Sequence, residues 1–154
     1  MFRWLKKILR MKDEPKVLEG DSRFGFTAVV DGDDIVVRGA RATWFGGAND
    51  PEDNGETASG ISTIKRPNIQ GCALPMNLGP CAGSPIPKLP WGTKVEVTHD
   101  GKTITVPVID LGPSRGTGNA IDLTVAAFEE FAPRSKGKIV VDYRILGAAR
   151  RIVA

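Results

Sequence analysis

Two aspartates close two apolar runs in the second half of the chain. Asp110 follows the apolar residues 106–109, and Asp122 follows Ala120 and Ile121 twelve positions further on. A carboxyl group at the end of a strand is presented at the rim of a barrel, and a short excursion returns the chain to the same rim. Paired carboxyl groups are suited to general acid–base chemistry, so Asp110 and Asp122 are candidate catalytic residues.

Composition favours one turn-rich domain built mainly from strands. The chain has 154 residues, 41% of them hydrophobic and 25% charged, with 18 glycines and 11 prolines. This is an ordinary globular composition, and scattered Gly and Pro favour β-structure over helices. The net charge of +3 comes from residues 1–16, where six residues are basic and two acidic. The remainder has no basic stripe interleaved with aromatic residues, which argues against a nucleic-acid partner.

Residues 1–12 predict a short amphipathic helix. Its basic residues fall on one face and its apolar residues on the other, which is typical of contact with a membrane surface or a partner protein. The alternative is a frayed terminus, since isolated helices of this length are marginal in water. Charges interrupt the segment throughout, so it is not a standard signal peptide. We therefore expect an arm and linker over residues 1–23 and a barrel domain over 24–154, with the localisation left open.

Two hairpins and a final strand are predicted from apolar runs and turn residues. Asp31-Gly32 separates the runs 24–30 and 34–38, and Asp100-Gly101 separates 92–98 from 102–109. Asp-Gly between β-branched runs is a strong hairpin signal. Further strands are expected over 41–47 and 139–146, a helix over 123–132, and a long irregular loop over 48–90. Pro107 predicts an edge or a bulge in its strand.

The cysteines and the single histidine limit metal chemistry. Cys72 and Cys81 are consistent either with a disulfide or with two buried free thiols. His99 is the only histidine of the chain, and a zinc site needs about four ligands. We predict no metal and no organic cofactor, and we expect His99 to be an exposed turn residue.

Each candidate also has a purely structural interpretation. Asp110 can bond nearby backbone N–H groups in a turn, and Asp122 or Thr124 can cap the predicted helix. Glu56 lies in the long loop, where acidic side chains are usually solvated. Trp44, Phe45 and Trp91 are candidates for stacking on sugar rings, and we expect Trp44 to be the exposed one. Further motifs occupy six segments: residues 42–47, 54–60, 89–97, 108–113, 121–124 and 141–144.

In their order and spacing, these motifs resemble the double-psi β-barrel of the RlpA-like lytic transglycosylases and the expansin/barwin group, over roughly residues 40–146. The resemblance implies a mainly β fold, a six-stranded double-psi β-barrel with one packed helix, preceded here by the short helical arm. It implies that Asp110 is the catalytic acid/base, because it matches the Asp-x-Gly-Pro motif. Asp122 matches the aspartate of the Phe-Asp-Leu-Ser motif of expansins, a position that is the general acid in related endoglucanases. Thr43 matches an expansin residue that contacts polysaccharide.

Two positions depart from these families. Residues 84–88 lack the histidine that RlpA-like enzymes place before their Leu-Pro-x-Gly-Thr motif, and Gly46 stands near the first-strand base of the endoglucanases. One carboxyl group acting as acid and then as base fits this sequence better than an inverting pair.

The predicted function is that of a lytic transglycosylase-like protein directed at peptidoglycan or another polysaccharide. Asp110 and Asp122 are its candidate catalytic residues, and Thr43, Trp44 and Glu56 are its candidate substrate contacts. The alternatives are a non-catalytic, expansin-like glycan-binding module and a structural component of an envelope or phage.

Overall fold

A computed structural model describes residues 15–47 and 54–152. The helix predicted over residues 1–12 lies outside these residues. The strands are β1 Lys16–Val17, β2 Ala28–Asp31, β3 Asp34–Phe45, β4 Cys72–Leu74, β5 Lys94–His99, β6 Lys102–Leu111, β7 Ile121–Thr124 and β8 Ile139–Ile145. The helix α1 is Val125–Phe128, and four short 3₁₀ turns cover Ser22–Phe24, Gly79–Cys81, Arg134–Lys136 and Ala148–Arg151.

Six of the strands close into a barrel. Their order is β3-β7-β4-β6-β5-β8, and an additional pairing of β3 with β8 closes the ring. The β3–β7 and β4–β6 pairs are parallel and the other pairs of the ring are antiparallel. β1 and β2 extend the sheet from β3. The predicted fold class, a mainly β chain with a closed six-stranded barrel, is confirmed.

Both predicted hairpins are present. Asp31 pairs with Asp34 where β2 turns into β3, and His99 pairs with Lys102 where β5 turns into β6. Asp100 and Gly101 have φ values of 49° and 80°, which is the backbone conformation that a two-residue turn of this kind requires. The last strand also lies where the sequence places it.

The long loop predicted over residues 48–90 contains a strand that the sequence did not reveal. Cys72–Leu74 forms β4, which lies between β6 and β7 in the barrel. All three of its residues are buried. The prediction of an irregular loop is therefore wrong at β4, because three residues are too few to show a period of two.

The predicted helix over 123–132 is much shorter than expected. Leu123 belongs to β7 and to the core, and α1 covers only Val125–Phe128. The side chain of Thr124 accepts a hydrogen bond from the Ala127 amide, so Thr124 is the N-cap. Asp122 lies inside β7, which rules out its interpretation as a helix cap.

Pro107 lies in the part of β6 that pairs with β5 but not with β4. It pairs with Lys94 of β5, and the pairing of β6 with β4 begins only at Val108. A missing N–H therefore disturbs no ladder with β4. The register then shifts between Cys72 and Ala73, so the expected edge and bulge are both found close to this proline.

The barrel interior is filled by alternate residues of its strands. Val95, Val97, Val106 and Val108 belong to one buried cluster with the inward residues of β3, β7 and β8. Tyr143 is 1% exposed, and its hydroxyl donates to the Ala120 carbonyl at 2.9 Å. Burial raises the pKa of Tyr143 well above its usual value, so the phenol remains a hydrogen-bond donor.

Cys72 and Cys81 are both free thiols and both buried. Cys72 lies in the barrel core, and burial raises the pKa of its thiol. The Sγ of Cys81 lies 3.7 Å from the Pro113 carbonyl oxygen. Of the two alternatives left open by the sequence, the structure has the pair of buried thiols.

Residues 16 and 17 of the predicted arm and linker form β1, which pairs with β2. The domain boundary at residue 24 stays a prediction. Within the described residues, no helix has the length and apolar character needed to cross a membrane.

The Tyr143 hydroxyl gives a stability prediction. Tyr143→Phe removes a donor inside the core, and we expect it to lower the free energy of unfolding by about 1–2 kcal/mol, measured by urea denaturation. Thr105 is exposed on β6, and Thr105→Val is the matched control, expected to stay within about 0.5 kcal/mol of the parent. Equal effects of the two substitutions would contradict the role given to the phenol.

Candidate active site

Asp110 and Asp122 flank the same residue of the barrel wall. Ala73 of β4 is in register with Asp110 of β6 on one side and with Asp122 of β7 on the other. Thr43 of β3 is in register with Asp122. Residues in register on neighbouring strands point to the same face, and adjacent strands are about 4.8 Å apart. The two aspartates therefore lie in one row with Cα atoms about 10 Å apart.

The row faces outward from the barrel. Its neighbours along the strands, Ala42, Cys72, Ile121 and Leu123, all belong to the buried core cluster. Because side chains alternate along a strand, Thr43, Asp122 and Ala73 point away from that core. The expectation that both aspartates reach one open rim stays a prediction. The register places them on one outer face of the barrel wall, which we call the carboxylate row (Thr43, Asp122, Ala73 and Asp110), although Ala73 itself is only 2% exposed.

A β-bulge at Ile109 brings Asp110 into this row. Cys72 pairs with Val108, but Ala73 pairs with Asp110 rather than with Ile109. Without the extra residue, Ile109 would lie beside Ala73 and Asp110 would point inward. A bulge changes which side chain faces outward, as bulges often do near active sites. Ile109 is 1% exposed, and a Cβ on Gly71 would lie 2.8 Å from its Cδ1, so Gly71 makes room for the bulge.

Asp122 is half-buried and held by one hydroxyl group. Thr43 Oγ1 donates a hydrogen bond to Asp122 Oδ1. Burial raises the pKa of the Asp122 carboxyl above its usual value, the Thr43 hydrogen bond opposes this, and the charge of Asp110 adds to it. Desolvation and a like charge both favour the protonated acid. The Asp122 carboxyl therefore retains its proton to a higher pH than an ordinary aspartate does.

Asp110 is held by backbone amides. Its Oδ1 accepts from the Ala58 amide and from its own neighbour Leu111, each at 2.9 Å. The Ser59 amide also donates to the Ile109 carbonyl at 3.1 Å. The structural interpretation of Asp110, an aspartate that bonds nearby N–H groups, is thus confirmed. The same contacts fasten the loop after residue 54 against β6, so Asp110 also positions this loop beside the row.

Glu56 lies on that loop. It is exposed, its amide donates to Asn54 Oδ1 at 2.9 Å, and it forms an isolated bridge with Ser62. It stands two positions before Ala58, the residue that contacts Asp110. The structure therefore places Glu56 near the edge of the site rather than within the carboxylate row, and its role as a substrate contact stays a prediction.

The exposed aromatic residue is Trp91 and not Trp44. Trp44 packs against the core, and its indole N–H donates to the Arg134 carbonyl at 3.1 Å. Trp91 is 43% exposed. The expectation that Trp44 is the exposed one is wrong, because its strand position at the barrel end is covered by the segment around Arg134. Contact between Trp44 and a glycan stays a prediction.

Trp91 lies close to the end of β6 that carries Asp110. The next residue, Gly92, donates its amide to the Val108 carbonyl at 2.9 Å, two positions before Asp110. The sequence signal for this residue was its position between Pro90 and Gly92, because a large aromatic residue in a turn is rarely part of the core. Of the three aromatic candidates named from the sequence, the structure thus favours Trp91.

Gly46 cannot be replaced by an acidic base without rearrangement. It has a φ of +81°, and a Cβ there would lie 2.7 Å from Thr63 Oγ1. The space at the end of the first barrel strand is thus filled by Thr63. A second base at this position is sterically excluded, which agrees with the departure from the endoglucanases noted in the sequence.

His99 is the last residue of β5 and is half-buried, so the expectation of an exposed turn residue is wrong, and it takes no part in the carboxylate row. Its Nδ1 lies 2.7 Å from the Val140 carbonyl, and its ring packs edge-on to Phe131 at 5.8 Å between centroids. In the part of the chain that the structure describes, no three His, Cys, Asp or Glu side chains are grouped to hold a metal ion.

Comparisons with known proteins agree with this fold. The family model described as "Lytic transglycolase" matches residues 70–143, the segment that runs from β4 to β8 and contains both aspartates. Together with the closed barrel, this match supports the similarity to RlpA-like double-psi β-barrel proteins that the motifs indicate.

Among solved structures, the chain is similar to the Streptomyces papain inhibitor. The two are 27% identical, the match covers 71% of this chain and 94% of that one, and the TM-score is 0.51. No curated protein sequence matches the chain. The resemblance stated from the motifs is therefore confirmed for the fold.

Two substitutions in the row are expected to move the pKa of Asp122 in opposite directions. Thr43→Val removes the hydrogen bond that lowers this pKa and should raise it further. Asp110→Asn removes a like charge and should lower it towards 3.8, the ordinary value. Carbon-13 NMR titration of the aspartate carboxyl groups measures both.

Asp100→Asn is the control for these titrations, because Asp100 lies at a distant hairpin tip where its φ of 49° suits asparagine. It should leave Asp122 unchanged. Shifts of the same sign in the Thr43 and Asp110 variants would contradict the arrangement described here.

Proposed function

We propose that this protein cleaves or remodels β-1,4-glycans, with peptidoglycan as the leading substrate, by a lytic transglycosylase-like reaction. The observation that carries the proposal is the carboxylate row, which places two acids on one outer surface and keeps one of them protonated to higher pH. The match to the lytic transglycolase family model over residues 70–143 supports it.

The reaction needs one proton carrier. A carboxylic acid protonates the glycosidic oxygen as the bond to C1 breaks, and the resulting carboxylate then removes a proton from a hydroxyl group of the same sugar. That hydroxyl attacks C1 and closes an anhydro ring, so no water is consumed and the acid is restored. This scheme requires neither the absent histidine nor a base at Gly46, which is why it suits this chain better than inverting hydrolysis.

The environments of the two aspartates support a division of labour. The motif resemblance assigns the acid/base role to Asp110. The raised pKa of Asp122 favours the reverse, and we adopt it: Asp122 carries the proton. Asp110, held by two amides, supplies a fixed negative charge that stabilises positive charge developing on the sugar ring. Carboxyl groups with different environments commonly take different roles in this way.

Neighbouring residues complete the proposed subsite. The Thr43 hydroxyl orients the Asp122 carboxyl. Trp91 offers an exposed aromatic face beside the end of β6, where the apolar face of a sugar ring can stack. Glu56 on the adjoining loop and Trp44 at the end of β3 are proposed as outer contacts.

The second candidate is a binding protein without catalysis. Asp110 is tied to two backbone amides, as expected of a purely structural aspartate. The similar solved structure is that of a protein that inhibits papain, so a barrel of this kind can have a protein partner. An expansin-like glycan-binding module is the corresponding candidate on the polysaccharide side.

Digestion of purified peptidoglycan distinguishes these candidates. We expect anhydro-muropeptides to accumulate, as measured by liquid chromatography and mass spectrometry. Asp122→Asn should lower their rate of formation by about 10²–10⁴-fold, the usual contribution of a general acid–base residue. Asp110→Asn should also lower the rate, and Asp100→Asn should not.

Tight binding to peptidoglycan with no anhydro product would instead support the glycan-binding module. Inhibition of papain by the purified protein, with no affinity for glycan, would support the protein-binding candidate. Full activity of Asp122→Asn would show that the proton carrier has been assigned to the wrong residue.

A further inference from the structure

A cavity lies on the outer surface of the barrel, close to the carboxylate row along β3. It has a volume of about 330 Å³ and is lined by Arg41, His99, Lys136, Lys138, Ile139 and Val140. We call it the basic cavity. Its surface is almost wholly apolar, with Val140 57% exposed, and the exposed side chains of Lys136 and Lys138 stand at its rim. An apolar floor ringed by cations is unusual for an ordinary solvated face.

The cations of this cavity lack acidic partners. Among the described residues, no carboxylate lies within ion-pairing distance of Arg41, Lys136 or Lys138. Several acids close to these residues in the chain have other partners. Asp142 Oδ1 accepts from the Gly39 amide at 2.8 Å. Glu130 pairs with Lys102 at 2.8 Å, and Glu129 lies 3.9 Å from Arg134. The Arg41 guanidinium donates to the Gly118 and Thr117 carbonyls, so the charges available to an external anion are those of Lys136 and Lys138.

The geometry of the cavity is held by contacts on three sides. His99 Nδ1 bonds the Val140 carbonyl at 2.7 Å, which orients the imidazole ring over β8. The Arg41 guanidinium donates to the Gly118 carbonyl at 3.0 Å. The indole of Trp44 donates to the Arg134 carbonyl at 3.1 Å and so fastens the segment that carries both lysines.

The basic cavity and the carboxylate row are continuous along β3. Arg41 and Thr43 are separated by one buried residue, Ala42, so their side chains share the outer face. Two residues of a strand span about 7 Å. Arg41 is in register with Val140 of β8, as Thr43 is with Asp122 of β7. A polymer lying across Asp122 and Thr43 thus meets the cavity with its next substituent.

We infer that the basic cavity binds a carboxylate of an acidic peptide substituent carried by the glycan that occupies the carboxylate row. This inference rests on the proposed function and specifies its substrate class as peptide-bearing peptidoglycan rather than a neutral polysaccharide. A neutral glycan gives these cations nothing to bind. An acidic glycan is repelled by the carboxylate row unless neighbouring cations offset that negative charge. The small aliphatic side chains of a peptide substituent also suit the apolar floor of the cavity.

Binding to insoluble peptidoglycan tests the inference without requiring turnover. The probes are native sacculi and sacculi whose peptide carboxylates have been amidated, which leaves phosphate groups charged. The variant Lys136→Gln/Lys138→Gln alters exposed residues outside the carboxylate row. The control Lys16→Gln/Lys88→Gln removes the same charge from exposed positions away from the cavity.

The expected result is specific to site and chemistry. Lys136→Gln/Lys138→Gln should bind native sacculi about three- to tenfold more weakly, as befits two exposed ionic contacts. It should match the parent protein on amidated sacculi, and the control should match the parent on both. Equal binding by parent and variant on native sacculi would overturn the inference. So would an equal loss in the control, and so would an effect that persists after amidation, which would point to phosphate.

A soluble probe separates this inference from the proposed function. Muramyl dipeptide should shift the backbone amide signals of residues 138–140 in NMR spectra of the parent protein but not of the lysine variant. If these shifts are seen but no anhydro-muropeptides form, the inference about the basic cavity stands and the catalytic proposal is refuted. If parent and lysine variant form anhydro-muropeptides equally and no such shifts are seen, the catalytic proposal stands. The inference that the basic cavity binds a peptide carboxylate is then refuted.

Discussion

The pairing of β4 with both β6 and β7 is the constraint on which the site depends. β4 has three residues, and its side chains at Cys72 and Leu74 are fully buried. Those two anchors fix Ala73 on the outer face, where it separates Asp110 from Asp122 by one strand on each side. Ala73 itself is buried, whereas Asp110 and Asp122 each keep part of their surface accessible. The two carboxyl groups are thus placed by the barrel wall and not by a flexible loop.

The electrostatics of the row follow from this placement. Asp122 is partly desolvated and shares the surface with a second acid, so its charged form is disfavoured. Such an arrangement does not stabilise the fold, and perturbed carboxyl groups of this kind are concentrated at functional sites. Asp110 differs because two amides hold it. The bulge at Ile109 is what brings these unequal acids onto one face.

Local patterns predicted the hairpins but not the site geometry. Asp31-Gly32 and Asp100-Gly101 specify their turns within a few residues, and both were found. β4 and the bulge at Ile109 are set by pairing with strands distant in sequence, and no local pattern records that. Asp122 was predicted as a candidate acid, yet its bond to Thr43 depends on the parallel β3–β7 register. The basic cavity draws on β3, the end of β5, the segment after Arg134 and β8, so it was invisible in the sequence. Trp91 was a candidate. The sequence could not show that the segment around Arg134 covers Trp44 and that Trp91 is the more exposed of the two.

A crystal structure of the Asp122→Asn variant with a bound peptidoglycan oligomer tests the central claim most directly. The account predicts that the glycan lies over the Asp110 and Asp122 side chains and that a glycosidic oxygen is within hydrogen-bonding distance of the side chain at position 122. A glycan bound on another face of the barrel, with the carboxylate row empty, would contradict it.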